Sequence, residues 1–204
     1  MGPIRAYRGT TMNKRITTQQ IAGTGLLLAL EIIFQIIGNY LQFGPVNINI
    51  SLVAIVLAAV LYGPLSGAIV GFFNGIMALF SPSTLAIFMP VSPAGTVIAC
   101  LCKCTIAGLV AGFLFKLFKE RNQLLGIILA GVIVPVINTF IFCVLTLVFF
   151  RPILVGGAGS ESFGAIIGFM LVGFIGWNFL IEIAATVILS TILGLVIIRR
   201  NKVA

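Results

Sequence analysis

The sequence predicts an all-α integral membrane protein, a bundle of six transmembrane helices with outward-facing loops and both termini cytoplasmic. Three observations lead there. Of the 204 residues, 60% are hydrophobic and only 8% are charged, whereas a soluble domain carries about 25% charged residues to solvate its surface. Apolar runs long enough to cross hydrocarbon recur along the chain. The basic residues gather at the chain ends and in one internal connection, beside apolar runs, as the positive-inside rule expects. Nothing reads as a second hydrophilic module, so residues 16–204 form one membrane domain behind a polar, basic segment, residues 1–15.

That first segment carries Arg5, Arg8, Lys14 and Arg15. It lacks the shape of a signal peptide, because the following apolar run is too long and no small-residue cleavage site stands out. Met12-Asn13-Lys14 reads as a natural start, which makes residues 1–11 an added or upstream extension. Apolar segments follow at about Thr17–Tyr40, Val46–Tyr62, Leu65–Phe80, Ala94–Phe118, Leu124–Phe150 and Phe169–Ile198. The second and third are short, and Gly63-Pro64 separates them: Pro removes a backbone donor and Gly favours a turn. Six crossings place three basic clusters on one side: Lys14 and Arg15, then Lys116, Lys119 and Arg121, then Arg199, Arg200 and Lys202. Five crossings would put the two chain ends on opposite faces. The outer side receives the loops Gln42–Asn47, Ser81–Pro93 and Arg151–Gly168, the second rich in Pro and Ser and the third in Gly. Irregular loops on one face and tight turns on the other suggest a binding face that opens outward.

The inventory removes several chemistries. There are twelve Lys or Arg and four acidic residues, all Glu, with no His. Neither a His metal site nor an imidazole base is available. Four scattered Glu do not make a magnesium-binding carboxylate cluster. No phosphate-binding GxxxxGK[ST] loop appears. No metal and no cofactor are expected, and an enzyme is disfavoured. The net charge of +8 sits at membrane edges, where it anchors the cytoplasmic side and does not suggest nucleic acid. Cys102 is turned about 200° from Cys100 and Cys104 along a helix, and with Cys143 these read as small packing residues.

Polar side chains inside the apolar runs are more informative. Charges there cost about 2.5–3.5 kcal/mol on insertion scales unless paired or wet. The sequence holds Glu31, Lys103 and Glu182, with amides at Gln35, Asn74, Asn138 and Asn178. At 1.5 Å per residue, Lys103 lies roughly 14 Å below the outer start of the fourth segment, and Asn178 is about as deep. Asn138 is roughly 18 Å from the outer end of the fifth, and Gln35, Asn39 and Asn74 lie nearer the rim. All share the outer half of the bilayer. Two readings fit: a polar pocket reached from outside, or hydrogen bonds between helices. Lys103 likewise either anchors an anionic ligand or pairs with Glu31 or Glu182. Trp177 lies too deep for an interfacial belt and either walls the pocket or packs. Arg151 stands at the rim.

On the first helix, small residues recur at Ala22 and in Gly25-Leu-Leu-Leu-Ala29. Farther on come Phe43-Gly-Pro-Val-Asn-Ile-Asn-Ile-Ser-Leu, Leu61-Tyr-Gly-Pro-Leu-Ser-Gly-Ala-Ile-Val-Gly and Pro93-Ala-Gly-Thr-Val-Ile, followed by Lys103 and Ala107-Gly108. Taken with six helices and basic inner ends, this order resembles the substrate-binding S component of energy-coupling factor (ECF) vitamin transporters, over about Thr17 to Lys202. Gly25 stands where that family more often has Ala. The resemblance implies that Ala22, Gly25 and Ala29 face a transmembrane coupling protein, which works with two ATP-hydrolysing subunits. It implies a vitamin bound near the outer surface, and a place in the cell membrane of a bacterium. The residues expected to bind it are Lys103, Asn138, Asn178, Trp177, Asn74, Gln35 and Arg151. Lys103 and Arg151 would suit a carboxylate and the amides hydroxyl or amide groups. Pantothenate combines these; folate, riboflavin, biotin and corrinoids are the alternatives. An autonomous carrier or channel would call for broken helices in matching halves, and no internal repeat is evident.

Overall fold

Hydrophobic runs become helices here because in lipid every backbone polar group must be satisfied within its own segment. A computed structural model describes residues 18–40, 42–43, 46–47, 49–172 and 176–203, so the segment 1–15 lies outside the described residues. Helix α1 (Thr18–Tyr40) is followed by two short strands, β1 (Gln42–Phe43) and β2 (Val46–Asn47), paired antiparallel with Gln42 opposite Asn47. Then come α2 (Leu52–Tyr62), α3 (Pro64–Leu79), α4 (Pro93–Phe118), α5 (Gln123–Phe149), the short α6 (Arg151–Ala158) and α7 (Phe163–Met170), and α8 (Gly176–Val203). The expected bounds of α1, α3, α4 and α5 hold to within one residue at each end.

Three expectations are corrected. The second helix begins at Leu52 and not Val46, because Val46-Asn47 pairs with β1 and Ser51 takes the N-cap position. The stretch Arg151–Gly168 is not an irregular loop. Pro152 sits in the first turn of α6, where a missing N–H costs nothing, and Gly159 ends that helix in the left-handed region with φ 65. Helices α6 and α7 then meet at a bend of 91°. The last long helix starts at Gly176, not Phe169. Gly63 does break α2 from α3: its φ of 98 favours glycine, and Pro64 opens α3.

Among the described residues four helices, α1, α4, α5 and α8, are long and apolar enough to cross a membrane, and α6 with α7 makes a fifth if the bent pair is one span. Helices α2 and α3 have 11 and 16 residues, roughly 17 and 24 Å at 1.5 Å per residue, less than the hydrocarbon thickness of about 30 Å. The chain is a multi-pass membrane protein.

Packing follows from small residues. Gly67, Gly71 and Gly75 lie along one stripe of α3, and a Cβ at any of them would clash with the carbonyls of Gly108, Cys104 and Cys100 respectively. The register runs backwards, so α3 and α4 are antiparallel and unusually close, as small residues permit in lipid. Tyr62 covers Gly23, Pro64 backs onto Gly112, Phe115 packs on Gly126, and Gly194 approaches Ile127. These contacts gather the start of α1, the α2–α3 break, the end of α4, the start of α5 and the second half of α8 at one end of the bundle. Exposed Lys116, Lys119 and Arg121 sit at that end. Helix α2 is apolar all round and forms the core: Leu52 to Ala59 are at most 1% exposed, touched by α1, α3, α4, α5 and α8.

Candidate functional site

Two polar regions lie near each other in the half of the bundle opposite that basic end. The first is a buried network. Glu31 and Gln35 stand one turn apart on the inner face of α1. Ser51 makes no capping bond for α2, which leaves its hydroxyl for side-chain partners. Asn74 Nδ2 donates to Glu31 Oε1 at 2.9 Å and to Ser51 Oγ at 2.5 Å. The Ser51 hydroxyl reaches Gln35 Oε1 at 2.9 Å and Asn49 Oδ1 at 2.5 Å, and its single proton serves one of them at a time. The Cys104 thiol reaches Asn74 Oδ1 at 3.1 Å and Asn138 Oδ1 at 3.4 Å. The network thus ties α1, α3, α4, α5 and the start of α2 at one level, with Glu31, Gln35, Ser51, Asn74 and Asn138 all buried. Burial of amides and hydroxyls is tolerable because they bond one another. Glu31 Oε2 is buried and has no hydrogen-bond partner among the described residues.

The second region begins at Lys103. It precedes Cys104 on α4 and so is turned about 100° from the network. Its Nζ lies 4.8 Å from the centre of the Phe142 ring, a cation–π contact. Among the described residues it makes no salt bridge with either buried glutamate, although Glu182 on α8 feels its charge across the bundle. Phe142 meets Phe88 edge-on at 5.6 Å and 75°, and Phe88 meets Phe150 at 5.1 Å and 82°. Phe88 comes from a single π-helical turn, Thr84–Phe88, between α3 and α4. A ladder of rings therefore runs from Lys103 to Phe150, and the next residue is Arg151. The Arg151 side chain lines a cavity of about 320 Å³ with Leu147, Leu154, Glu161, Phe163 and Ile166.

Of the residues singled out in the sequence, Gln35, Asn74 and Asn138 come together in the network, Lys103 borders it, and Arg151 stands apart at the far end of the ladder. Trp177 and Asn178 fall in the first turn of α8, and their side chains lie outside the described residues. Ser51, Cys104, Glu161 and the three phenylalanines were not singled out. Cys104 had one available signal, its place beside Lys103.

The outer face of α1 is different. Ala22, Gly25 and Ala29 are exposed, and a Cβ on Gly25 would meet nothing within 4 Å. Exposed Leu26, Ile32, Ile33 and Ile36 flank them.

Among known proteins, the family described as "ECF transporter, substrate-specific component" matches residues 19–198. No curated protein and no solved structure matches the chain.

Proposed function

Since the chain belongs to the family of ECF transporter substrate-specific components, we propose that it captures a small vitamin outside a bacterial cell and delivers it inward with a transmembrane coupling protein and two ATPase subunits. The family is one of transporter subunits and not of enzymes. In this reading α2 and α3 complete six crossings, the basic end of the bundle is cytoplasmic, and the ligand lies at the opposite end.

One observation carries the choice of site: Lys103, a cation inside an apolar helix, has a phenyl face and no carboxylate as its partner among the described residues. An ammonium held only by a ring keeps donors for an anionic group. The aromatic ladder and the Arg151 cavity lead from it toward the surface, and Asn138, Asn178 and Trp177 belong to the same proposed site. Gln35 and Asn74 sit behind it, already bonded to their neighbours. A carboxylate on Lys103 with hydroxyl or amide groups on the asparagines is what pantothenate would offer. Mass spectrometry of the small molecule retained by the purified protein tests this directly; a retained molecule without a carboxylate excludes it.

The open stripe Ala22, Gly25 and Ala29 is the proposed contact with the coupling protein, since small residues let helix backbones approach in lipid. Gly25→Leu should abolish co-purification with the ATPase subunits while the isolated protein still binds ligand. Normal assembly would remove this stripe from the interface.

A further inference from the structure

We infer that Glu31 and the oxygens beside it form a binding site for one sodium-sized monovalent cation at the junction of α1, α2 and α3. The argument starts from charge. Glu31 is wholly buried, and an isolated carboxylate in such a place is costly unless a cation or a proton accompanies it. No lysine or arginine pairs with it among the described residues. Lys103, on the neighbouring α4, rests on the Phe142 ring and makes no salt bridge with Glu31 among the described residues.

A proton alone does not settle the site. Glu31 Oε1 already accepts from Asn74 at 2.9 Å, so a proton there would face a donor. Oε2 has no hydrogen-bond partner among the described residues, and a proton there would remove the charge without supplying anything to the oxygens gathered round the single Ser51 proton. A cation supplies the missing charge and occupies the idle oxygen at once.

The surroundings fit that choice. Ser51 Oγ is held next to the carboxylate by the same Asn74 amide that bonds Oε1. Gln35 Oε1 and Asn49 Oδ1 both crowd the Ser51 hydroxyl, at 2.9 and 2.5 Å, though it has one proton to give. Carboxylate, hydroxyl and amide oxygens are hard donors suited to hard cations. No group of three or more His, Cys, Asp or Glu converges among the described residues, which leaves transition metals without a donor set. With a single carboxylate among neutral oxygens, a monovalent ion gives neutrality and a divalent ion leaves a buried charge.

Thermal unfolding of the purified full chain, without vitamin, tests this in sodium chloride against choline chloride at equal ionic strength, together with binding of radioactive sodium. The expected result is one saturable sodium per chain and a melting temperature several degrees higher in sodium. Glu31→Gln, which keeps an oxygen for Asn74 but removes the charge, should abolish both effects, and Gln35→Ala should weaken sodium binding roughly tenfold, the equivalent of about 1.4 kcal/mol. Equal melting in the two salts overturns the inference without any variant. So does a sodium effect that survives in Glu31→Gln, or a melting temperature that follows pH alone.

Discussion

The two polar regions lie in the same half of the bundle and are built from different side chains, amides and hydroxyls in one and cations with aromatic rings in the other. Around Asn74, amides and hydroxyls bond mainly to neighbours on other helices, so the region specifies how α1, α3 and α4 meet, and Asn138 on α5 joins it through Oδ1. Around Lys103, one helical position away, the charge rests on a ring, and successive rings lead toward Arg151. Burial with polar partners makes a polar residue part of the scaffold. Half-burial against aromatic faces leaves donors for something else. Intramembrane polarity alone therefore does not mark a ligand site; what distinguishes the regions is which hydrogen-bonding capacity is still unused.

The sharpest way to break the comparison is to separate the helices beneath both regions. Gly71→Ala places a methyl against the Cys104 carbonyl, and α3 must move away from α4 just where Asn74 meets Cys104. Overpacking of this kind costs typically 1–3 kcal/mol, and because the obstacle is backbone the upper figure applies, about 3 kcal/mol. Melting of the ligand-free protein measures it. A variant as stable as the parent would mean that the α3–α4 contact is looser than the glycine stripe implies.

Next comes Lys103→Met, which keeps the chain's length and its contact with Phe142 while removing the charge. A charge-assisted contact contributes on the order of 1.5–3 kcal/mol, so vitamin affinity should fall roughly 10- to 150-fold. Ligand-free melting should change much less than affinity, since Lys103 makes no salt bridge among the described residues and the buried Glu182 loses only a charge it feels at a distance. If melting falls while affinity holds, Lys103 belongs with the scaffold and the division between the regions fails. Asn74→Ala should show the opposite pattern. It removes the donor to both Glu31 and Ser51, and interhelical hydrogen bonds in membranes average about 0.6 kcal/mol with a maximum near 1.7. A loss of about 1–2 kcal/mol in stability is expected, with affinity per folded molecule almost unchanged. Equilibrium binding corrected for the folded fraction decides it.

The sequence made the long helices legible because hydropathy and the Gly63-Pro64 break are local signals. It misled where signals conflicted. The run Gly156-Gly157-Ala158-Gly159 reads as loop, yet Pro152 at the start and Gly159 at the stop enclose a helical turn or two. Apolar residues continue through the region before Gly176, which hides where α8 begins. At the site, depth counting put Gln35, Asn74 and Asn138 in one half of the bilayer with Lys103 and Asn178, which needs only the helical rise, but set Asn138 deeper than the other two. It could not show that Ser51 and Cys104 connect them, because a lone hydroxyl or thiol in an apolar helix looks like packing. Nor could it show the ring ladder: Phe142 and Phe150 lie on and just beyond α5, and only tertiary structure inserts Phe88, from the turn between α3 and α4, between them.

The smallest expected effect tests whether that ladder is part of the ligand region or only packing above it. Phe88 is the middle rung, supplied by a π-helical turn and not by a long helix, so its removal disturbs no span. Each edge-to-face pair contributes about 0.5–1.5 kcal/mol beyond simple burial. Phe88 is half-buried, so Phe88→Ala should cost the ligand-free protein about 1 kcal/mol or less. If Phe88 covers a ligand held at Lys103, the same change should raise the vitamin's dissociation rate several-fold and leave association nearly unaltered, because affinity changes within one site appear mainly in the off-rate. Stopped-flow or filter-binding kinetics on Phe88→Ala would resolve this. An unchanged off-rate would confine the ligand to the Lys103 side of Phe142 and assign Phe88 and Phe150 to the scaffold, moving the boundary between the two regions outward by two rings.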